Sequence, residues 1–264
     1  MNDGRDTVLD CTGVSINVPG RTLVENLDLG IKAGEIIAVL GPNGVGKSLS
    51  LHTLAGLRQA DHGSVRLDGL PIDSVPRQRI AQRIALLPQY VEDVFPATVL
   101  DTVMIGRHPH IRRFEWESDE DRRIAMDALA LVGLGDIPHR DIATLSGGER
   151  RRLAIAQVLT QAPTVYLLDE PTNHLDPQHQ LDVLSVFDAK AKNGDAVVTS
   201  LHDVNLASRF ADRCLLLYGN GHWELDATDA VLTERRLSDL YATTMEVINW
   251  RNERLFVAAG RDAD

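Results

Sequence analysis

The chain has few of the features that mark secreted, membrane-spanning or metal-clustered proteins. Of its 264 residues only two are cysteines, Cys11 and Cys214, which lie far apart and match no metal-binding spacing. We therefore expect both to be reduced core residues of a cytosolic protein. Residues 1–6 are polar, so we expect no secretory signal region. No apolar run approaches the roughly 20 residues of a membrane-spanning helix.

The chain also has fewer basic than acidic residues, and it has no repeated sequence segments. The chain carries 27 Lys and Arg residues against 38 Asp and Glu, a net charge of −11, which argues against broad binding to the phosphate backbone of nucleic acids. It contains no internal repeat and no low-complexity segment. With 44% hydrophobic residues, an ordinary share for a globular protein, it can bury one substantial core or two lobes of one domain.

A glycine-rich loop lies between a predicted strand and a predicted helix. Residues 41–48 read GPNGVGKS and fit the phosphate-loop template G-x-x-x-x-G-K-[ST], with an apolar run at 36–40 before them and a helical pattern at 51–55 after them. A glycine-rich loop alone could be a simple turn. Here Lys47 can reach the β- and γ-phosphates of a nucleotide, and the Ser48 hydroxyl can ligate Mg²⁺. The predicted nucleotide contacts in this region are Gly41, Pro42, Asn43, Gly44, Val45, Gly46, Lys47, Ser48 and Leu49.

Two further motifs follow the loop in the chain. Residues 145–149 read LSGGE, and residues 165–171 read VYLLDEP. The second pattern predicts a buried parallel strand that ends in two carboxylates. Asp169 would lie beside the magnesium ion, and Glu170 would face the water that attacks the γ-phosphate. Each motif alone has an ordinary interpretation, as a Ser-Gly-Gly turn or a strand end. Their order after the phosphate loop is hard to produce by chance.

At these residues the chain resembles the ATP-binding-cassette (ABC) ATPase family, from about residue 7 to about residue 245. Three weaker motifs support the resemblance. Gln89 matches the glutamine loop of the family, residues 173–176 (NHLD) match the loop by which two cassettes touch, and His202 matches the switch histidine. The resemblance implies ATP as substrate and Mg²⁺ as cofactor.

Roles for particular residues come from this resemblance. Glu170 would be the general base, His202 would orient the γ-phosphate or the water, and Gln89 would connect the metal site to a moving partner. Lys47 completes the implied catalytic set. The implied Mg²⁺ ligands are Ser48, Gln89 and Asp169, and the implied nucleotide contacts outside the phosphate loop are Val18, Ser146, Gly147 and Gly148.

The resemblance also implies a dimer. The signature segment, Ser146–Gly148, begins a predicted helix, where its N–H groups and the Ser146 hydroxyl form a second phosphate cradle. In ABC ATPases this cradle meets the ATP that the other subunit holds. The implied unit is a head-to-tail pair of two copies of this chain with two ATP molecules between them.

The sequence departs from the family pattern at two nucleotide contacts. Val18 stands where many cassettes place an aromatic residue that stacks on adenine, and Leu49 stands where a hydroxyl usually helps to hold the α-phosphate. Valine can contact the base but cannot stack on it. We therefore expect relaxed selectivity for the base.

Strands alternating with helices predict an α/β fold, a parallel sheet flanked by helices with a helical lobe inserted. In the terms of the family this is a RecA-like P-loop core with an antiparallel β subdomain and an inserted helical subdomain. We expect residues 1–88 and 161–264 to form the core and residues 89–160 the helical signature subdomain. Capping residues predict one helix from Ser118 to about residue 132 and another from Asp176 to about residue 192.

Several segments look like the subfamily that serves importers of metal chelates, namely ferric siderophores, haem and cobalamin, with a lean toward cobalamin. Among them are residues 95–99, residues 103–110, His174–Asp176 and His202–Ala207. This resemblance implies polytopic permease subunits as partners, a periplasmic or extracellular substrate-binding protein as an indirect partner, and a peripheral location on the cytoplasmic face of the membrane. Residues 90–95, which mix apolar and acidic side chains, are the expected permease-docking segment.

Two other classes stay open on the sequence. An export or lipid-transport cassette would carry the same local chemistry. A non-transport ABC protein is less consistent with the chain, because the interval between the phosphate loop and the signature leaves no room for a long coiled coil and there is one cassette rather than two.

Overall fold

The computed structural model describes residues 6–90, 96–112, 115–251 and 253–259. Within these ranges the strands are β1 (Thr7–Val18), β2 (Arg21–Lys32), β3 (Ile36–Leu40), β4 (His62–Leu67), β5 (Leu70–Pro71), β6 (Ile84–Leu87), β7 (Val165–Asp169), β8 (Ala196–Ser200), β9 (Arg213–Leu217), β10 (Trp223–Ala227), β11 (Met245–Trp250) and β12 (Glu253–Ala258). The helices are α1 (Lys47–Leu54), α2 (Arg77–Arg83), α3 (Val99–Met104), α4 (Asp119–Leu131), α5 (Gly147–Gln161), α6 (Pro177–Lys192), α7 (Val204–Phe210), α8 (Thr228–Val231) and α9 (Glu234–Tyr241).

A six-stranded sheet carries the motifs, in the order β10-β9-β3-β8-β7-β6. All of its neighbours pair in parallel except β10, which is antiparallel to β9. Every residue of β3, β7 and β8 is buried, as expected for parallel strands covered on both faces. Because the strands are parallel, the loops after β3, β7 and β8 leave the same edge of the sheet.

A second sheet, antiparallel and in the order β2-β1-β4-β5, corresponds to the predicted N-terminal β subdomain. The apolar residues of β1 and β2 alternate with polar ones, and Ile16, Leu27 and Ile31 are fully buried in the core that this sheet shares with β3. The α/β fold class predicted from the sequence is confirmed.

Helices α3, α4 and α5 pack against one another, and most of their buried side chains are small or aliphatic. A β-carbon at Gly106 would lie 2.4 Å from the carbonyl oxygen of Gln157, so glycine is required where this segment meets α5. The predicted helices are confirmed: Ser118 caps α4 in a capping box with Asp121, and Asp176 caps α6. The predicted division of the chain at residues 88/89 and 160/161 stays a prediction.

Two further sequence expectations are tested by the fold. Cys11 and Cys214 are both buried and free. Among the described helices none is long and apolar enough to cross a bilayer. One hairpin, β11–β12, is not predicted by the sequence; it is held to α7 by Asn205, whose side chain exchanges two hydrogen bonds with the backbone of Phe256.

Candidate active site

The phosphate loop turns sharply between β3 and α1, and its glycines are required by the turn. Gly41 and Gly46 have φ angles of 149° and 107°, in the region that favours glycine. A β-carbon at Gly41 would lie 2.4 Å from the carbonyl oxygen of Leu217, and one at Gly46 would lie 3.2 Å from Cβ of Leu23. The loop is therefore wedged between the end of β9 and strand β2, with Gly46 as the N-cap of α1.

Lys47, the first residue of α1, folds back over this loop. Its ammonium group donates to the carbonyl oxygens of Gly41 at 2.8 Å and Pro42 at 3.1 Å, and the residue is 5% exposed. Burial lowers the pKa of Lys47, while the carboxylates of Glu170 and Asp169 act in the opposite direction. Lys47 thus lies against the loop and close enough to the two acidic residues for their charges to act on it.

The acidic pair ends β7, beside the end of β8. Asp169 is paired with Ser200 across the two strands and is 1% exposed. The Ser200 hydroxyl donates to Oδ1 of Asp169 at 2.7 Å and accepts from the backbone N–H of Glu170 at 2.9 Å. Glu170 has a φ of 50°, an uncommon backbone conformation for a residue with a side chain. Ser200, which the sequence analysis did not single out, therefore fixes the turn at which Glu170 leaves the strand.

The carboxylate of Glu170 is held by three side chains. Gln89 donates to its Oε2 at 2.7 Å, Asn173 donates to the same oxygen, and Nε2 of His202 lies 2.5 Å from Oε1. The Glu170 side chain is 5% exposed, whereas the His202 side chain is 43% exposed. Gln89, Glu170 and His202, which are separated by 81 and 32 positions in the sequence, meet at one carboxylate.

These residues face a cleft of about 710 Å³, within the range of sites for small ligands. The predicted residues that line it are Val18, Asn43, Gly44, Gly46, Lys47, Ser48, Leu49, Gln89, Glu170 and His202. Arg21, Leu23, Tyr90, Asn173 and His174 complete the lining. Gly41 and Val45 are buried, Pro42 is half-buried, and none of the three lines the cleft. Asp169 is buried at the strand end and does not line the cleft either.

The signature segment lies outside this cleft. Ser146 caps α5: its hydroxyl accepts from the N–H of Glu149 at 3.2 Å, and the Glu149 carboxylate accepts from the N–H of Ser146 at 2.8 Å. Ser146 and Gly147 are exposed, and a β-carbon at Gly147 would meet nothing within 4 Å. The helix terminus that would cradle a phosphate is therefore formed but turned to the surface.

Arg151, on α5, is a residue that the sequence analysis did not single out. It is 7% exposed and donates to main-chain carbonyls next to the active site. Burial lowers its pKa to about 10, while the carboxylates of Asp169 and Glu170 act in the opposite direction, so the guanidinium is a cation at neutral pH. A sequence signal existed: Arg151 lies three, four and seven positions before the buried residues Ala154, Ile155 and Val158.

The side chains at the site suit a magnesium ion that arrives with a nucleotide. Within the described ranges no group of three His, Cys, Asp or Glu residues could hold a metal ion by itself. Ser48, Gln89 and Asp169 offer a hydroxyl, an amide and a carboxylate oxygen. Magnesium prefers such hard oxygen donors and commonly completes its shell with water and substrate phosphates.

The chain is similar in sequence to several known proteins. The family model for ABC transporters matches residues 24–173. A hemin import ATP-binding protein of Gloeobacter violaceus is 41% identical over 233 residues, which cover 86% of this chain and 84% of that protein. A hemin import ATP-binding protein of Rhodopseudomonas palustris is 39% identical over 251 residues, 90% of each chain. A cobalamin import ATP-binding protein of Halobacterium salinarum is 37% identical over 226 residues, 85% of this chain and 56% of that one.

Solved structures show the same likeness. A chain from an inward-facing structure assigned to the metal-chelate type of ABC transporter superposes with a TM-score of 0.85 at 28% identity, covering 97% of this chain and 99% of that one. A dimeric ABC transporter cassette superposes with a TM-score of 0.73 at 25% identity, covering 83% of this chain and 98% of that one.

Proposed function

The chain belongs to the ABC transporter family, and we propose that it is the ATP-hydrolysing subunit of an importer for a metal chelate. The observation that carries the ATPase part of the proposal is the carboxylate of Glu170, held by Gln89, Asn173 and His202 at a cleft that also contains the phosphate loop and Lys47. The likeness to import ATP-binding proteins carries the importer part.

The phosphate loop and α1 provide the binding energy for the nucleotide. The backbone N–H groups of the loop and of the α1 N-terminus are suited to phosphate oxygens, and Lys47 adds the cation. Bound with the nucleotide through Ser48, Gln89 and Asp169, Mg²⁺ would neutralise charge on the phosphate oxygens. The adenine base of the nucleotide would rest on Val18 and the adjoining lining of the cleft.

Glu170 is the proposed general base. A water molecule against its carboxylate would lose a proton to Glu170 while the water oxygen bonds to the γ-phosphorus and the bond to the ADP oxygen breaks. The donors from Gln89 and Asn173 fix the direction of the carboxylate, and His202, which is the more exposed partner, would contact the γ-phosphate or the water. The products are ADP and inorganic phosphate.

The signature segment explains why one chain would not suffice. Ser146 and Gly147 are exposed at the N-terminus of α5 and do not line the chain's own cleft. We propose that they complete the cleft of a second copy, so that two chains enclose two ATP molecules head to tail. The likeness to a dimeric cassette supports this arrangement.

The cargo that we propose is a metal tetrapyrrole. The relatives named above are hemin and cobalamin import proteins, and both compounds are metal complexes of large macrocycles. The chain would act on polytopic permease subunits at the cytoplasmic face of the membrane, and a substrate-binding protein would deliver the cargo on the other side. Residues 91–95, most of the expected docking segment, lie outside the described residues.

A deletion of the gene in its host tests the proposal. Uptake of labelled hemin, labelled cobalamin and a ferric siderophore is measured in the deletion strain and after complementation with the wild type or with Glu170→Gln. We expect uptake of a tetrapyrrole to be lost and to return only with the wild type. Normal uptake of all three chelates in the deletion strain, or a defect in export alone, would contradict the importer proposal.

A further inference from the structure

The guanidinium of Arg151 uses its whole set of N–H donors on main-chain carbonyls. Nε–H donates to one oxygen, and Nη1 and Nη2 donate to two each, which equals the five donors of an arginine. The acceptors are the carbonyl oxygens of Pro171 at 3.3 Å, Pro88 at 2.7 Å, Gln89 at 3.3 Å, Asp169 at 2.6 Å and Glu170 at 2.8 Å.

These carbonyls belong to two separate backbone segments. One is the loop that follows β6 and carries Gln89, and the other begins at Asp169, the last residue of β7, and continues into the loop that carries Glu170. The side chains of Gln89 and Glu170 touch at 2.7 Å. Arg151 therefore holds the main chain of both segments, and the side chains of Gln89 and Glu170 project from these segments and meet in the cleft. Its side chain donates to no residue of the phosphate loop.

The position of Arg151 in the chain connects those segments to the signature. It lies on α5, three residues after Gly148 and about one turn from the exposed end of that helix. A displacement of this end of α5 would move the guanidinium, and with it the carbonyls that it holds.

We propose that Arg151 is a positioning residue that keeps Gln89 and Glu170 at the spacing needed for hydrolysis and makes that spacing depend on where the signature end of α5 lies. The proposal rests on the ATPase function proposed above. A planar fork of five donors suits this role, because lysine has three donors and glutamine two. When the signature of one chain contacts the nucleotide of its partner, Arg151 would thus change the position of Glu170 in the chain that carries the signature.

Arg152 provides a matched control, because it is an arginine on the same helix. It donates to the carbonyls of Val132 at 2.9 Å and Gly133 at 3.5 Å, after the end of α4, and within the described residues it donates to neither of the segments that Arg151 holds. A merely structural requirement for an arginine on α5 would affect both positions, whereas the proposed role concerns Arg151 alone.

The test compares Arg151→Gln, Arg151→Lys and Arg152→Gln with the wild type. Four quantities are measured: the Kd for a fluorescent ATP analogue, the kcat for ATP, the melting temperature, and dimer formation by gel filtration with ATP and Mg²⁺. For Arg151→Gln we expect a Kd within about twofold of wild type and a kcat lower by about ten- to hundredfold, the range that a misplaced catalytic group produces. ATP-bound dimers should accumulate although Glu170 is present. Arg151→Lys should lose about tenfold in kcat, and Arg152→Gln should stay within about twofold.

Three results would overturn the role of Arg151: full kcat in the lysine variant, an equal loss in Arg152→Gln, or a fall in ATP affinity as large as the fall in kcat. If Arg151→Gln does not fold, the lysine variant decides by the same comparison of Kd and kcat. A wild-type protein that hydrolyses no ATP would instead overturn the proposed ATPase function itself.

Discussion

The two segments that we propose to bind phosphate differ in what surrounds them. In the phosphate loop, Gly41, Val45 and Lys47 are buried, and the loop is wedged against β9 and β2. In the signature, Ser146 and Gly147 are exposed, and the side chain of Ser146 is engaged in its own capping box. Both segments begin a helix, but only the first is enclosed by the chain that carries it.

This difference separates what one chain does from what two chains do. On the proposed function the enclosed loop would bind a nucleotide within one chain, because its cleft already contains Lys47, Glu170 and His202. The exposed signature does not line the cleft of its own chain, so it would not contact the nucleotide bound there. We therefore expect substitutions at the loop to change ATP affinity and substitutions at the signature to change turnover alone. Substitution of the Glu170 carboxylate should give the largest loss of turnover at unchanged ATP affinity.

The largest effect is expected for Glu170→Gln. The change keeps the shape of the side chain and removes the base, so turnover should fall by about 10²–10⁴ while ATP affinity stays near that of the wild type. Steady-state ATPase assays and isothermal titration measure the two quantities. Glu149→Gln is the matched control at the signature, because glutamine also forms a capping box, and it should keep activity within a few-fold. Near-normal hydrolysis by Glu170→Gln would refute the assignment of the base.

Ser146→Arg should lower hydrolysis by about 10²–10³, the effect of removing one donor from a charge-stabilising site, and should leave ATP binding to the isolated chain intact. Titration with ATP and an ATPase assay separate these outcomes. Asp127→Arg, on an exposed position of α4, is the control for charge and bulk on the same part of the chain. Full ATPase activity of Ser146→Arg would be incompatible with a shared site.

Mixing two inactive variants tests further whether each site is formed by two chains. In a head-to-tail pair of Ser146→Arg with Lys47→Ala, one site combines both lesions and the other combines two intact halves. We expect the mixture to recover part of the activity that each variant lacks alone.

Lys47→Ala should weaken ATP binding itself. A charge-assisted hydrogen bond contributes about 1.5–3 kcal/mol, so the Kd should rise by roughly tenfold or more. Lys192→Ala, a 73% exposed lysine paired with Asp188, should leave the Kd unchanged. Equal affinities of wild type and Lys47→Ala, measured by titration, would mean that nucleotide phosphates bind elsewhere.

The smallest effect is expected for Val18→Tyr, at the end of β1. An aromatic ring able to stack on the base contributes about 0.5–1.5 kcal/mol, so the Kd for ATP should fall by roughly two- to tenfold. Val18→Leu, which adds bulk without a ring, is the control. Unchanged affinity in the tyrosine variant would show that the base does not lie against this residue.

Much of the fold and of the candidate site could be predicted because the signals are local. The phosphate loop, the strand that ends in Asp169 and the caps Ser118 and Asp176 each depend on residues within one turn or one strand. The meeting of Gln89, Glu170 and His202 was expected from the resemblance, and their catalytic roles stay predictions. The hairpin β11–β12 was missed because Asn205, which holds it, lies 51 positions before its partner Phe256 in the sequence.

The residues that hold Glu170 were harder to predict. Ser200 bonds to Asp169 and Glu170 from the neighbouring strand, 30 positions or more along the chain. Arg151 stands between two other arginines, and only its place on the buried side of α5 distinguishes it. Such contacts depend on which strands are adjacent and how a helix is turned.

By itself, the sequence determined the chemistry of this protein: a loop able to hold phosphates, a carboxylate pair at a strand end and a helix terminus with a Ser-Gly-Gly start. These are short-range properties of backbone conformation and side-chain type. Only the tertiary structure decided which groups meet and which face outward. Parallel strand order brings the ends of β3, β7 and β8 together, and helix packing buries Arg151 while it leaves Ser146 exposed. That arrangement arises because long-range packing of the core, rather than any local preference, sets the distances between segments.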